Sequence, residues 1–298
     1  MSRAGSTGLA DLPLVDQRDR VLAAWDGFLA AAGDVDLDRP SRLPGWTGRD
    51  VCVHVGDWPG APVLRGLLEQ ARTGPGAPPD TDRVNAAVVA AHRDASRADV
   101  LAALGRARDR IAAWFGAPDA ADGPQALGQR PVTSPVGVLP LLTVVAASGY
   151  ELAVHALDLR APRPDPRLLD AGLAALVDVT GVFAHRRGLR TALTAWVGGA
   201  GWQVRTGPDG WVTVPVVGSR PGGAAIEGDA ATLLDASAGR LAVPALLAAR
   251  SIRVHGLADV VRLAPIVEDV PGLPGGPALR AAARWVGGAG RLLPRLGF

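Results

Sequence analysis

The chain has 298 residues, of which 48% are hydrophobic and 20% are charged, and its formal net charge is +2. This apolar fraction with so little net charge excludes a disordered chain, and the length suits one large domain or two ordinary ones. All 31 basic residues are arginine, but an excess of two positive charges gives no reason to expect a nucleic-acid partner.

The single cysteine, Cys52, predicts neither an intramolecular disulfide nor a cysteine-based zinc framework. We interpret it as a small buried side chain. The N-terminal residues lack the apolar segment of a signal peptide, and the uncharged run 131–150 is broken by Pro135 and Pro140, which argues against a membrane span. We therefore expect a cytoplasmic protein with no membrane partner.

The first half of the chain has the periodicity of amphipathic helices. An apolar stripe at three- and four-residue spacing predicts a helix around 21–29. Thr47 and Asp50 resemble a capping box and predict the start of a second helix, with a kink or break after Trp58 because prolines follow. Ser96 gives a second capping signal within a helical region over 81–115.

Two more helices follow in the sequence. Ser134 and Pro135 have the residue types of a cap and a first helical position, so a fourth helix is predicted from there to Leu159. A fifth helix is predicted over 166–185. Long amphipathic helices with modest connections favour an up-and-down bundle.

After Arg190 the pattern changes to short β-prone runs with turn residues between them. We predict strands at 196–197, 202–205, 211–214, 224–227 and 251–255, a hairpin turn at 207–210, and helices after Asp229 and over 257–267. The sequence thus predicts an α+β protein: a helical bundle over 1–190 and a small α+β domain over 191–298, with a Pro/Gly-rich tail from Val270.

Glu151 and His155 are four residues apart on the predicted fourth helix, so both project from one face. They could form an ion pair on the helix surface or a satisfied buried pair. Their neighbours over 144–159 are almost all apolar, and a carboxylate there needs a partner or a ligand. With His54 of the second helix they make a plausible zinc set with one open position. Cys52 is two residues from His54, faces another way and is excluded.

Two segments carry a resemblance to a known family. The run LPGWTGRDVCVH, which ends at His54, and the run YELAVHALDL, which begins at Tyr150, resemble the two motifs of mycothiol-dependent maleylpyruvate isomerase-like proteins. These belong to the DinB-like metal-binding bundle superfamily of actinobacteria. The segments around Asp229, Arg240 and His255 resemble the family's sterol-carrier-like C-terminal domain.

The resemblance implies a four-helix-type bundle whose metal ligands are His54, Glu151 and His155. It implies a divalent metal such as Zn²⁺ and the thiol mycothiol as cofactors, with a small electrophilic or unsaturated acid as substrate. Family chemistry is addition of the thiolate to a cis double bond, rotation, and elimination of the trans isomer.

Two acidic residues lie one helical turn from the implied ligands. Asp57 is a candidate for proton transfer or for supporting the metal site, and a solvated helix residue is an equal alternative. Asp158 is a candidate for orienting His155, as carboxylates beside metal-binding histidines commonly do, with a helix-surface role as the alternative.

Other functions are compatible with the same scaffold. The site could serve a mycothiol S-transferase, or a thiol-independent lyase, cyclase or hydrolase of a biosynthetic pathway, because fold does not fix function. A metal-holding, ligand-binding or regulatory protein is the alternative outside the enzymes. The complete ligand set favours an enzyme acting on small molecules.

Overall fold

The computed structural model describes residues 5–59, 63–78, 80–263 and 266. The described residues divide into two compact units: those within 9–175 form one, and those up to Gly8 form the other together with those from Leu176 onward. The predicted division into 1–190 and 191–298 stays a prediction. The predicted tail from Val270 lies outside the described residues.

The unit 9–175 is built mainly from helices. They are α1 (Leu14–Asp34), α2 (Gly48–Val55), α3 (Val63–Thr73), α4 (Thr81–His92), α5 (Arg97–Gly116), α6 (Pro124–Leu127), α7 (Leu141–Asp158) and the first part of α8 (Pro166–Arg186). Within this unit α1 packs against α5 and α7, while α2 packs against α4, α5 and α7. These contacts bury large side chains such as Phe28, Leu104 and Leu152.

Both predicted capping boxes are confirmed. The Thr47 side chain accepts a hydrogen bond from the Asp50 backbone, and the Asp50 carboxylate accepts one from the Thr47 backbone at the start of α2. Ser96 and Asp99 make the same exchange before α5. The second helix ends at Val55, before the prolines that predicted a break after Trp58.

The predicted start of the fourth helix at Ser134 is wrong. Pro131–Ser134 (β2) pairs antiparallel with Gly137–Pro140 (β3), following β1 (Ser6–Thr7) in the chain. The Ser134 hydroxyl donates to the Gly137 carbonyl at 2.7 Å and so serves a hairpin. Helix α7 begins only after Pro140.

The other unit contains a six-stranded mixed sheet, whose strands after β1 are β4 (Ala192–Val197), β5 (Ala200–Gly207), β6 (Gly210–Val217), β7 (Ala224–Gly228) and β8 (Ile252–His255). Their order is β1-β6-β5-β4-β7-β8. The β1–β6 and β4–β7 pairs are parallel and the others antiparallel. The α9 (Ala230–Ser237), α10 (Val243–Ala248) and α11 (Leu257–Arg262) helices complete the described part. The prediction of an α+β fold is confirmed.

A buried carboxylate links the second half of α8 to this sheet. Asp178 is 1% exposed and accepts hydrogen bonds from Trp211 Nε1 at 2.9 Å and Thr213 Oγ1 at 2.6 Å, both on β6. Because a buried charge is tolerated only when it is well hydrogen-bonded, this contact fixes the second half of α8 on the sheet.

Two helices, α7 and α8, are long and apolar enough to cross a bilayer by length and composition. Their most apolar windows are 72% and 67% buried inside the protein. Core helices of folded domains meet the same criteria when their apolar side chains pack against other elements.

Candidate metal centre

The first site residue, His54, lies in the last turn of α2. The capping box fixes where this helix starts, and Val51, Cys52 and Val53 are fully buried against the unit's core. His54 follows these buried residues and is itself half-buried. The edge-to-face contact of its ring with Trp46, at a centroid distance of 5.8 Å, helps to define its orientation.

Glu151 and His155 are on α7, one turn apart on the same face. The His155 side chain is buried, whereas that of Glu151 is 63% exposed. The His155 Nε2 and Glu151 Oε2 atoms are 3.5 Å apart. The predicted i, i+4 arrangement thus brings a buried imidazole and an exposed carboxylate side by side.

The structure brings all three predicted ligands together. One ligand atom from each of His54, Glu151 and His155 lies within 4.8 Å of the others, and the two imidazole rings meet edge to face at 5.2 Å. Two imidazoles and one carboxylate are a donor set that suits a catalytic zinc ion, with a fourth position for water or substrate. The residues present therefore fit a divalent metal.

Asp158 lies behind this cluster and contacts one of its members. Its side chain is fully buried, and its Oδ2 atom is 3.1 Å from Nδ1 of His155. This contact leaves Nε2 of His155 directed to the Glu151 side. A carboxylate on the outer nitrogen fixes the ring orientation and tautomer of metal-binding histidines and increases their basicity.

The two histidines have opposite electrostatic environments. Burial, with the nearby His155, lowers the pKa of His54 to about 4. Burial also lowers the pKa of His155, but the hydrogen bonds that its ring donates to Asp158 and Glu151 outweigh this effect and raise that pKa to about 9. Without a metal, His54 is therefore neutral at pH 7 while His155 carries a proton between two carboxylates. A metal ion must replace that proton on binding.

Asp57, the other predicted acidic residue, is not in the ligand cluster. Its carboxylate is 7% exposed and makes an ion pair with Arg110 at 2.6 Å. Arg106 donates a hydrogen bond to its backbone carbonyl. These contacts join the end of α2 to α5, and the role of Asp57 in proton transfer stays a prediction.

The interpretation of Cys52 as a buried side chain is confirmed. It is 0% exposed, and burial raises the pKa of its thiol to about 12. A thiol with such a pKa is almost wholly protonated at neutral pH and is a poor nucleophile. A reactive thiol at this site must therefore come from outside the chain.

Two further residues lie close to His54 and were not among the predicted site residues. The Trp46 ring meets the imidazole edge to face, and the nearby side chain of Asn85 on α4 acts to raise the pKa of His54. Trp46 lies in the LPGW part of the first motif, which is a signal for it. Asn85 is in no motif, because its position depends on the packing of α4 against α2.

A cavity of about 410 Å³ is lined by residues 40–47, which include Trp46. The loop that carries it is held by hydrogen bonds from Ser41 to the Trp46 carbonyl and from the Arg42 backbone to the Asp158 carbonyl.

Comparisons with known proteins agree with this geometry. Residues 18–160 match the family model of the mycothiol maleylpyruvate isomerase N-terminal domain. Two crystal structures, of a mycothiol-dependent maleylpyruvate isomerase and of a histidine-to-alanine mutant, superpose with TM-scores of 0.51 and 0.52. Each shares 18% sequence identity over 79% of this chain and 93% of the other, so the likeness shows the fold. No curated protein matches the sequence significantly.

Proposed function

We propose that the chain, of which residues 18–160 match the family model of the mycothiol maleylpyruvate isomerase N-terminal domain, is a metal- and mycothiol-dependent enzyme acting on a small electrophilic or unsaturated acid. The observation that carries the proposal is the convergence of His54, Glu151 and His155 from two helices. A need for fold stability does not explain why two imidazoles, one buried and one half-buried, lie together with an exposed carboxylate.

The chain's own residues have distinct tasks in this proposal. His54, Glu151 and His155 hold the metal, and Asp158 keeps His155 oriented through its 3.1 Å contact with Nδ1. When bound, a divalent metal supplies Lewis acidity and keeps a thiol as thiolate at neutral pH. The Glu151 side chain is 63% exposed, so a metal held by it would be within reach of a substrate from solvent.

The reaction class follows from the family and from the lack of a reactive thiol at Cys52. Mycothiol supplies, when bound, a thiolate that adds to an activated cis double bond and leaves after the bond has rotated. A carbonyl conjugated with the double bond makes it an acceptor, because this carbonyl takes up the electron pair when the thiolate adds and returns it when the thiolate leaves. Maleylpyruvate is the compound named for the structural relatives, and cis-unsaturated acids of this kind are the substrates we propose.

The metal centre is tested by metal content. We expect about one zinc or similar divalent ion per chain in the purified protein, by the donor set of the site, and its loss in His54→Ala and Glu151→Ala. His255→Ala is the matched control, because this histidine pairs with Glu227 on the sheet of the other unit. Elemental analysis by mass spectrometry measures the ion. Full metal retention by either ligand variant would refute the triad.

The thiol requirement is tested separately with mycothiol and cis-unsaturated acids such as maleylpyruvate. We expect turnover to depend on added mycothiol and to persist in Cys52→Ala, since the thiol of this residue is buried. The product distinguishes the alternatives: a trans acid indicates an isomerase and a stable thioether an S-transferase. Equal turnover without any thiol would overturn the mycothiol proposal while leaving the metal centre standing.

A further inference from the structure

The chain that leaves α2 packs closely against α5. Gly56 ends α2, and its backbone N–H donates to the Val53 carbonyl at 3.2 Å. A side chain at Gly56 has no room, because its Cβ atom would lie 2.9 Å from Nε1 of Trp58 and 3.1 Å from the Cβ atom of Ala103 on α5. The end of α2 therefore lies directly on α5, two residues after His54.

Asp57, the next residue, binds α5 with every polar group that it has. Its backbone N–H donates to the Ala103 carbonyl at 3.1 Å, and its backbone carbonyl accepts from Nη2 of Arg106 at 3.2 Å. Its carboxylate, which is 7% exposed, pairs with Nε of Arg110 at 2.6 Å. These partners are three and four residues apart, so they lie along one face of α5. Asp57 thus fixes both the position and the direction of the chain that leaves α2.

Trp58 turns back from this anchor to the peptide unit of His54. Its indole Nε1 donates to the Val53 carbonyl at 2.8 Å in a buried contact. That carbonyl lies in the same rigid peptide plane as the backbone N–H of His54. The Trp58 ring also stacks on His92 of α4, with a centroid distance of 4.0 Å and an interplanar angle of 17°. An indole that α4 keeps in place therefore holds the peptide unit that leads into His54.

We propose that Asp57 and Trp58 are positioning residues of the metal centre: Asp57 anchors the end of α2 on α5, and Trp58 holds the peptide unit of His54. The inference rests on the proposed metal centre. Glu151 and His155 share one helix, so α7 alone sets their separation, whereas His54 reaches them from a separate helix of eight residues. A metal-binding set works when its members are held within about 0.5 Å of the required positions. Contacts that fix the last turn of α2 therefore place the one ligand that α7 does not.

This role differs from proton transfer, one of the roles predicted for Asp57 from the sequence. A proton-transfer group must come within hydrogen-bonding reach of the reacting atoms. The carboxylate of Asp57 instead pairs with Arg110 of α5 and is not a member of the cluster of His54, Glu151 and His155. Asp57 therefore acts on the site through the backbone that it anchors.

The inference is tested in the full-length protein by zinc affinity, measured by chelator competition, and by the visible spectrum of the Co²⁺-substituted protein. In Asp57→Asn, which keeps the shape and removes the charge that pairs with Arg110, we expect affinity to fall by about tenfold. Trp58→Phe keeps a ring that can stack on His92 and removes the N–H donor, and its affinity should fall by a similar factor. The Co²⁺ ligand-field bands should shift in both variants, because they report the geometry of the ligands around the ion.

Arg108→Met is the matched control. Arg108 is also on α5, and its Nε atom pairs with Asp26 of α1 at 2.9 Å, so this variant likewise breaks an ion pair between α5 and another helix. It should leave zinc affinity and the Co²⁺ spectrum unchanged, because α1 carries none of the proposed ligands. Circular dichroism checks that each variant is folded where its affinity is measured. Arg110→Met, which removes the partner of the carboxylate, replaces Asp57→Asn if the latter does not fold.

Wild-type affinity and spectrum in either Asp57→Asn or Trp58→Phe would overturn the inference, as would an equal loss in Arg108→Met. A loss of turnover in Asp57→Asn with unchanged zinc affinity would also overturn it and would favour proton transfer. Failure of the metal centre looks different: wild type then binds no zinc, and the inference falls with the proposed function. If wild type binds zinc, His54→Ala does not, and both variants bind it like wild type, only the present inference is wrong.

Discussion

At the scale of single residues, the contact between Asp158 and His155 decides the charge of the metal-free site. Asp158 is fully buried and faces Nδ1 of His155, and it is the first of the hydrogen-bond partners that raise the pKa of this histidine to about 9, against the effect of burial. A histidine whose pKa is higher in the folded than in the unfolded state stabilises the fold while it is protonated. The stabilisation is complete below the usual histidine pKa of about 6.5 and is lost as the pH rises through about 9.

Replacing Asp158 by asparagine tests this contact. The asparagine keeps the shape and loses the charge, so we expect the pKa of His155 in the metal-free protein to fall toward its usual value. Zinc affinity should fall about 10- to 100-fold, because the ring loses the partner that fixes and polarises it. The imidazole NMR signals measure the pKa, and chelator competition measures the affinity.

Asp170→Asn is the control for that experiment. It removes the same charge from a different place in the unit, where Asp170 forms an ion pair with Arg20. It should leave both quantities unchanged. An unaltered His155 titration in Asp158→Asn would show that the contact does not set the protonation of this histidine.

Residue spacing explains why some site residues can be predicted from the sequence. Glu151 and His155 share one helix, so their proximity follows from the i, i+4 rule, and Asp158 follows one turn later. That His54 joins them was implied by the two motifs. Asn85 has no such signal because its approach to His54 depends on how two helices pack, and that depends on contacts spread over α2 and α4.

At the scale of elements, α2 is short but carries both His54 and the buried segment that anchors it. A helix of eight residues is marginal by itself, so its ends matter. The Thr47 hydroxyl accepts a hydrogen bond from the Asp50 backbone N–H. In return, the Asp50 carboxylate accepts hydrogen bonds from the Thr47 backbone N–H and, at 2.9 Å, from the Thr47 hydroxyl. Half of this exchange is lost when the threonine hydroxyl is removed.

We therefore expect Thr47→Ala to lower the free energy of unfolding by about 1 kcal/mol, the usual cost of losing an N-cap hydroxyl. Thr47→Ser keeps the hydroxyl and should lie close to wild type, which makes it the matched control. Urea unfolding followed by tryptophan fluorescence measures both. Equal stability of the alanine and serine variants would mean that the cap does not support α2.

Caps and periodicity are local signals, and the elements that they specify were predicted well. The same kind of local signal misled at Ser134 and Pro135, where the serine hydroxyl bonds within a hairpin instead of capping a helix. The pairing of β2 with β3 is decided by four residue pairs together. The two-residue strand β1 is specified by its parallel pairing with β6, far along the chain, so nothing in its own sequence predicts it.

At the scale of the whole molecule, the three proposed metal ligands all belong to the unit 9–175. Asp178 and its partners Trp211 and Thr213 belong to the other unit. The residues that would gain stability from a bound metal are thus different from those that keep α8 on the sheet. Two sets of interactions without shared partners contribute to stability additively.

A ligand that binds only the folded protein stabilises it by an amount that grows with its concentration, about 4 kcal/mol at a thousand times its dissociation constant. We therefore expect removal of zinc by a chelator to lower the thermal midpoint of wild type and to leave that of His54→Ala unchanged. Asp178→Ala leaves two buried donors without their acceptor and should lower the midpoint by a similar amount with and without zinc. Differential scanning calorimetry of the three proteins, each with zinc and with chelator, measures these shifts. If the chelator shifts the midpoint of His54→Ala as much as that of wild type, the stabilising metal is not bound by His54. If the effect of Asp178→Ala depends on zinc, the two sets of interactions are coupled.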